Sequence, residues 1–234
     1  MLLYANVHMP QKTKTARSEK LFLYRINYSI GVRNMKAPVV DKRDIARELA
    51  RKYSTMTHDE LDILESMLVP MKFAKGEMIL KEGDVCRNIY YIEQGLIRQF
   101  YFKNDKEVTE HLGVDHTIFM CIESLFKEEP SRLQVEALEQ TYLFALPKKR
   151  LEEEAIRNVN IQMLYRKILE ESLIISQIHA DLIRFESAQN RYKKLRQLSP
   201  QVVLRAPLVY IANYLQMTPE TLSRVRAATL QEEK

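Results

Sequence analysis

A cluster of polar and basic side chains near the C-terminus has the residue types and spacing needed to contact a nucleic acid. Thr218 and Pro219 mark the start of a helix, because threonine caps helix N-termini and proline is tolerated in the first turn. A turn at Gln216-Met217 would join it to a preceding short helix. This arrangement predicts a helix-turn-helix, whose second helix enters the major groove of DNA. The candidate DNA-contacting residues are Thr218, Glu220, Thr221, Ser223, Arg224 and Arg226.

The side chains of the second helix suit direct reading of base edges. Arg224 can make a bidentate contact to guanine, and Glu220 can accept a hydrogen bond from cytosine. Ser223 or Thr218 can reach a phosphate. The alternative is a ligand-binding module whose C-terminal helices bind a protein partner rather than DNA. In either case the first helix would pack through an apolar face formed by Leu208, Ile211 and Leu215.

Charge is unevenly distributed along the 234-residue chain, which has a formal net charge of +5. Residues 1–40 carry seven Lys/Arg against one acid, and residues 41–183 carry twenty against twenty-six. Residues 184–234 carry nine against four. A basic C-terminal piece on an acidic body favours binding of that end to a polyanion.

A long helical segment precedes the basic end and predicts a dimer contact. Its apolar residues step by three and four alternately, which is typical of a two-stranded coiled coil. Flanking Leu169 and Ile183 leave open a single amphipathic helix packed on its own domain. Glu171, inside the stripe, would have to face a partner, water or a ligand. The predicted dimer-interface residues are Ile161, Leu164, Ile168, Ile175, Ile178, Leu182 and Phe185.

The middle of the chain has the pattern of a β domain. Helical spacing up to residue 69 and a capping box from Thr57 to Glu60 predict two short helices before it. Residues 73–146 contain short segments rich in Ile, Tyr, Phe and Val with glycines at turn spacing, which predicts an antiparallel jelly roll. Among these segments, residues 96–102 alternate between apolar and polar along their length.

Together these segments predict an α+β fold with an N-terminal jelly roll, a long coiled-coil dimerisation helix and a C-terminal helix-turn-helix. The helical pattern that opens near Met35 suggests that the residues before it are an extension or an upstream start. The predicted organisation is an N-terminal extension at 1–40, a jelly roll with flanking helices at 41–155, a dimerisation helix at 156–188 and a helix-turn-helix domain at 189–234.

Several function classes are excluded by missing motifs. Cys86 and Cys121 are too few for a four-cysteine iron-sulfur or zinc site within one chain, and we expect free buried thiols and no metal. No nucleophile elbow, phosphate-binding glycine loop or H-E-x-x-H occurs, so we expect no enzyme activity. No apolar run approaches the roughly 20 residues that span a bilayer, and no secretory signal is evident. We therefore expect a cytoplasmic protein.

Three motifs carry a resemblance to a known family. KFAKGEMILKEGD, IYYIEQGLIRQFY and YIANYLQMTPETLSRVR, together with the long helix, resemble the Crp/Fnr superfamily of transcription regulators over about residues 41–230. The resemblance implies a cyclic-nucleotide-binding-like jelly roll and a homodimer on palindromic promoter DNA, with RNA polymerase as a candidate partner. It also implies a small effector that reorients the recognition helices, and base reading by Glu220 and Arg224. Because no strand-rich hairpin follows Arg226, the usual wing is expected to be missing or replaced by helix.

The ligand pocket that the resemblance implies departs from the cyclic-nucleotide type. The stretch FMCIESLFKEEPSRLQVEAL has no glycine, Glu123 is displaced, and Ser131-Arg132 reverses the family's Arg-Ser/Thr order. Losing that bidentate clamp disfavours cyclic AMP or GMP, so another small effector or none is expected. A haem would need an axial ligand from a cysteine or from His111, His116 or His179, and a lone histidine is more often a satisfied polar residue. The candidate pocket residues are Cys121, Glu123, Ser124, Ser131, Arg132 and Glu171.

Overall fold

The computed structural model describes residues 41–231, so the predicted extension at 1–40 lies outside the described residues. Two helices come first, α1 (Lys42–Tyr53) and α2 (His58–Met67). The Thr57 side chain accepts a hydrogen bond from the Glu60 backbone, and the Glu60 carboxylate accepts one from the Thr57 backbone. This reciprocal capping box starts α2 at the predicted position.

The strands of the described chain form two antiparallel four-stranded sheets that make up the predicted jelly roll. One sheet has the order β1-β8-β3-β6 and the other the order β2-β7-β4-β5. The strands are β1 (Val69–Phe73), β2 (Met78–Leu80), β3 (Asn88–Gln94), β4 (Leu96–Lys103), β5 (Lys106–Val114), β6 (Ile118–Phe119), β7 (Gln134–Ala137) and β8 (Thr141–Pro147).

Two turns fix the path of β4. Gly95 joins β3 to β4 with φ +139°, and a Cβ at this position would lie 2.4 Å from Thr141 Oγ1, so the turn requires glycine. At the other end, Asn104 and Asp105 have φ of +50° and +58° in the two-residue β4–β5 hairpin. Asn and Asp adopt these angles more readily than other side-chain-bearing residues, so the sequence favours this tight turn.

The alternation expected along residues 96–102 does not appear as alternating burial. The first five residues of β4, from Leu96 to Phe100, are all buried. Ile97 belongs to the core inside the jelly roll, whereas Leu96 packs in a second core with the C-terminal helices. Both faces of β4 are therefore covered, and its polar residues Arg98 and Gln99 are buried rather than in solvent.

The remaining elements are helical. Asn158 caps the longest of them, accepting hydrogen bonds from the backbones of Asn160 and Ile161. None of the helices within residues 41–231 is long and apolar enough to cross a membrane. The helices are α3 (Ile122–Lys127), α4 (Lys148–Arg157), α5 (Val159–Phe185), α6 (Ala188–Leu198), α7 (Pro200–Arg205), α8 (Leu208–Tyr214) and α9 (Pro219–Gln231).

Two apolar clusters hold these elements together. The larger fills the jelly roll and extends to α1, α2 and the first half of α5. The smaller joins the outer face of the second sheet to the end of α5 and to α6–α9, with Leu195, Ile211, Leu215 and Leu222 at its centre. The C-terminal helices are thus packed on the jelly roll, and this contact positions the site described next.

Candidate nucleic-acid interface and effector cavity

The turn between α8 and α9 is a Schellman motif, and it lies where the sequence predicts it. Met217 N–H donates to Ala212 O at 2.9 Å, and Gln216 N–H donates to Asn213 O at 3.0 Å. Gln216 adopts the left-handed conformation with φ +51°. This 6→1 and 5→2 pairing satisfies the last carbonyls of α8 and sets the direction in which α9 leaves.

Helix α9 presents one polar face and buries the other. Leu222 belongs to the smaller cluster and Thr229 is buried, while Thr218 Oγ1 accepts from Thr221 N–H at 3.2 Å and caps the helix start. Hydrogen bonding from Thr218 and from the helix-start backbone lowers the pKa of Glu220, which is therefore ionised at neutral pH. Of the six predicted DNA-contacting residues, Thr218, Glu220, Ser223 and Arg224 are exposed, and Thr221 and Arg226 are half-buried.

Arg191, on α6, holds the helix-turn-helix to the end of α5. Its guanidinium donates to Leu215 O at 3.0 Å in the turn and to Ile183 O at 2.8 Å in α5. Its Nε donates to Glu186 O at 3.0 Å. The role of Arg191 could not be predicted from the sequence, because its acceptors are backbone carbonyls and the pattern of side chains does not identify them. Movement at the end of α5 would therefore be transmitted to the turn.

Four of the seven predicted dimer-interface residues of α5 are buried within the chain itself. Ile161, Leu164 and Ile168 are at most 1% exposed because they fill the chain's own larger cluster, and Leu182 is buried in the smaller one. These four side chains cannot line a contact with a second chain in this conformation. Of the remaining predicted residues, Ile175 lines an internal cavity, Ile178 is half-buried and Phe185 is exposed.

A different face of α5 carries exposed apolar side chains. Leu173 is 70% exposed and Ile174 57%, and Val159 is also exposed at the helix start. A shallow groove of α5 side chains, which includes Met163 and Leu169, continues this face. Large aliphatic side chains exposed side by side mark a surface that favours a partner.

A cavity of about 600 Å³ lies between the jelly roll, α5 and α8. Its wall includes apolar side chains of β6 and α3, with Ser172, Ile175 and His179 from α5 and Tyr214 from α8. The rings of His179 and Tyr214 stack with centroids 4.3 Å apart. A volume of this size accommodates a small organic molecule, which would touch all three parts of the fold.

Five of the six predicted pocket residues line this cavity, namely Cys121, Glu123, Ser124, Ser131 and Arg132. The two serine hydroxyls are already used by the protein, because Ser124 Oγ donates to Glu129 O at 2.6 Å and Ser131 Oγ donates to Leu133 O at 3.0 Å. Cys86 and Cys121 are free and buried, as the sequence predicts. Glu171, the sixth predicted residue, does not line this cavity.

Glu171 lies on another side of α5, outside the cavity. Its carboxylate accepts a hydrogen bond from Tyr53 Oη at 2.5 Å and pairs with Lys52 Nζ at 3.3 Å. Both partners belong to α1, so the single acid in the predicted stripe ties α5 to α1 of the same chain.

Comparison with known proteins agrees with this architecture. A family model for the Cyclic nucleotide-binding domain matches residues 70–158. Fumarate and nitrate reduction regulatory proteins of Yersinia pestis and Vibrio cholerae are 27% and 26% identical over 189 and 186 residues, which is 73% of this chain and 73% of each relative. The chain is therefore similar to these two regulatory proteins over most of its length, and its jelly roll matches a cyclic nucleotide-binding domain.

Solved structures of bacterial regulators share the fold of this chain. FixK2 from Bradyrhizobium japonicum superposes with a TM-score of 0.61 at 20% identity, covering 71% of this chain and 86% of FixK2. The c-di-GMP-responsive global regulator CLP of Xanthomonas campestris gives a TM-score of 0.57 at 15% identity, covering 76% and 93% respectively. The similarity therefore extends beyond the jelly roll.

The C-terminal helices of the chain are docked on the edge of the second sheet by specific polar contacts. The side chain of Asn213 on α8 accepts from Thr109 N–H at 2.9 Å and donates to Glu107 O at 2.7 Å. These two hydrogen bonds satisfy backbone groups of the edge strand β5. Arg205 on α7 forms ion pairs with Asp115, with an oxygen 2.5 Å away, and with Glu139. The sequence motifs did not indicate these contacts because their partners are far apart in the chain.

Two histidines beside the cavity are held neutral by burial. Burial is the larger of two causes that lower the pKa of His111 to about 4, and the charge of the nearby His179 is the second. Burial also lowers the pKa of His179, against a hydrogen bond to the Tyr214 carbonyl. His111 Nε2 is buried without a hydrogen-bond partner, so it is a polar atom available to a bound molecule.

We expect the stability of the chain to fall as pH drops from 6.5 toward 4. In this window the unfolded chain protonates His111 and the folded chain does not, so the free energy of unfolding rises with pH. The loss attributable to His111 at pH 5 is about 2 kcal/mol. Urea unfolding at pH 7.5 and pH 5.0 measures how much the free energy of unfolding changes between the two pH values. This change should be smaller for His111→Asn than for the unaltered chain. His58→Asn, which removes an exposed histidine, should leave the difference unchanged, and an unchanged difference in His111→Asn would contradict the assignment.

Proposed function

We propose that the protein is a homodimeric, sequence-specific DNA-binding transcription regulator controlled by a small effector. The observation that carries the proposal is the exposed polar face of α9, which presents Glu220, Ser223 and Arg224 from a helix fixed by a Schellman turn and by Arg191. The N-terminal residues of such a helix are those that meet base edges in the major groove. The basic composition of the C-terminal segment supports binding to a polyanion.

The second copy in the proposed dimer packs against the exposed face of α5. Leu173 and Ile174 supply its apolar centre, and Val159 extends it toward the start of the helix. A two-fold axis along this face brings the same residues from both copies together. The dimer would then present two α9 helices to half-sites about one helical turn apart, so the target is a roughly palindromic promoter site.

The proposed effector is a small, largely apolar organic molecule rather than a cyclic nucleotide. Arg132, the one guanidinium on the cavity wall, is stacked on Tyr101 and lies within 3.9 Å of Glu110 and 3.8 Å of Glu123. A cyclic phosphate at this position would meet these two carboxylates as well as the cation, and repulsion from them would offset the attraction. The unpaired His111 Nε2 can instead anchor a single polar group.

Occupation of the cavity would be communicated through groups that already touch it. His179 belongs to α5 and Tyr214 to α8, so one ligand contacts both the proposed dimer helix and the first helix of the DNA-binding motif. An effector shifts the conformational equilibrium only if it binds one arrangement of these helices more tightly. The proposed control therefore resides in the His179–Tyr214 stack.

Selection of random duplexes with purified protein tests the proposal directly. Recovery of a palindromic motif, with affinity that falls steeply with salt and does not change with cyclic AMP, is the expected result. Salt-sensitive binding without a motif would indicate a nonspecific binder. Absence of duplex binding would favour the alternative, in which the C-terminal helices bind a protein partner.

Arg224→Ala should weaken binding to the selected site and relax preference at one base pair per half-site. Loss of a bidentate guanine contact costs about 1–3 kcal/mol, which is roughly 5- to 150-fold in affinity. Measuring affinities for sites with each base at every position locates the effect. Arg47→Ala on α1 removes the same charge from an exposed side chain and should leave all affinities unchanged. An equal loss for Arg224→Ala on every sequence would make Arg224 a phosphate contact.

A further inference from the structure

Three side chains from separate segments meet on the side of the jelly roll that faces α1. Glu48 lies on α1, Glu93 on β3, and His116 in the turn between β5 and β6. Their donor atoms all lie within 4.8 Å of one another. His116 Nδ1 is 3.5 Å from Glu48 Oε1 and 4.0 Å from Glu93 Oε2. These separations are close to those between ligands of one small cation, since metal–ligand distances of about 2.1 Å place tetrahedral donors roughly 3.4 Å apart.

The Glu93 carboxylate is poorly satisfied by the protein. Its Oε2 atom is buried and has no hydrogen-bond partner. Burial raises the pKa of Glu93; His116 opposes this effect, while Glu48 and Asp115 add to it as neighbouring negative charges. A buried carboxylate without a donor normally needs a compensating cation.

The backbone holds His116 over the carboxylates. Its φ of +61° is uncommon for a residue that bears a side chain, and such conformations persist where surrounding structure fixes them. The ring is oriented by Tyr91, whose hydroxyl lies 2.9 Å from His116 Nδ1. Tyr91 is itself buried, and its hydroxyl and the two carboxylates all lie near Nδ1, so an ion bound to Nδ1 would replace the contact with Tyr91.

We propose that Glu48, Glu93 and His116 bind a divalent transition-metal ion, with Zn²⁺ as the reference ion. One imidazole nitrogen and two carboxylate oxygens form a donor set that suits Zn²⁺ and similar ions, whereas Mg²⁺ and Ca²⁺ prefer oxygen ligands alone. Water completes the coordination on the side where His116 is exposed. The ion connects α1 to both sheets, because β3 and the β5–β6 turn belong to the jelly roll.

The sequence predicts no metal site, because these ligands do not form a local motif. Each comes from a different segment, and the folded jelly roll alone brings them together. The proposed site is separate from the effector cavity, whose lining includes none of the three residues. Its test is therefore independent of the proposed regulatory function.

Isothermal titration of Zn²⁺ into chelator-treated full-length protein tests the site. We expect one strong binding event per chain and an increase in the melting temperature on adding Zn²⁺, since a ligand that binds the folded state stabilises it. Glu93→Gln and His116→Asn should each weaken binding at least tenfold. Asparagine tolerates the left-handed conformation at position 116, so the turn is retained. Mg²⁺ should bind much more weakly than Zn²⁺.

The matched control is His58→Asn, which removes a histidine on α2 and should leave Zn²⁺ affinity unchanged. Replacing Zn²⁺ with Co²⁺ should give a visible spectrum without thiolate-to-metal charge transfer, which separates this site from one at Cys86 and Cys121. Absence of stoichiometric binding would overturn the proposal and leave His116 as an ion-pair partner of the two carboxylates. Binding retained in both Glu93→Gln and His116→Asn would overturn it as well.

Discussion

Leu173→Asp should convert the protein to a monomer and abolish its binding to a palindromic site. Leu173 is 70% exposed on α5 in the isolated chain, so the substitution costs little within the fold. In a two-fold dimer the substitution is present in both copies. Losing burial of two leucines costs roughly 4 kcal/mol, and enclosing two carboxylates adds to this. The dimer dissociation constant should therefore rise at least a thousandfold.

Light scattering and a duplex-binding assay measure the two consequences of Leu173→Asp separately. Leu204→Asp on α7 is the matched control, because Leu204 is 75% exposed and lies away from the proposed dimer face. That variant should remain dimeric. A Leu173→Asp protein that stays dimeric would exclude this face of α5, and the exposed Phe185 at the helix end would be the next position to examine.

The stripe on α5 illustrates what periodicity can predict. Steps of three and four place residues on one helix face, and the sequence predicts both the helix and that face. Periodicity does not identify what covers the face. Here the chain's own jelly roll covers Ile161, Leu164 and Ile168, so the narrow stripe belongs to an intramolecular contact, and the apolar residues left exposed are neighbours such as Leu173 and Ile174.

The helix-turn-helix was predictable because its determinants are local. A capping threonine, a proline in the first turn and an apolar face all lie within about twenty residues, and each acts through short-range backbone geometry. The docking of that motif was not predictable. Asn213 pairs with the edge of β5, and Arg191 with carbonyls of α5 and the turn, so their roles depend on contacts that form only in the folded chain.

The burial of β4 also depends on contacts that form only in the folded chain. An alternating pattern indicates a strand with one solvent-exposed face, but α8 covers the outer face of β4. The guanidinium of Arg98 lies 3.9 Å from the Phe100 ring and 3.7 Å from the ring of Tyr210 on α8. Arg98, one polar member of the alternating pattern, therefore contacts α8, a role that residues 96–102 alone do not indicate.

Arg98→Ala should lower the free energy of unfolding by about 3–5 kcal/mol. Arg98 is 3% exposed, donates to Glu136 at 2.9 Å and also pairs with Glu107. Removing one member of a buried ion network leaves its partners partly buried without a cation, which accounts for a loss of this size. The melting temperature should fall by about 10 °C for a chain of this length. Loss of the stack on Tyr210 should also speed proteolysis between the jelly roll and α8.

Arg132→Ala provides the matched control, since Arg132 also stacks on a tyrosine and lies near two glutamates. Its side chain is 58% exposed, and solvent screens its pairs, so the loss should stay below about 1 kcal/mol. Thermal melts and limited proteolysis of both variants distinguish the two arginines. If Arg98→Ala proved no worse than Arg132→Ala, the buried network would not be what fastens the C-terminal helices to the sheet, and Arg205 with Asn213 would have to hold them.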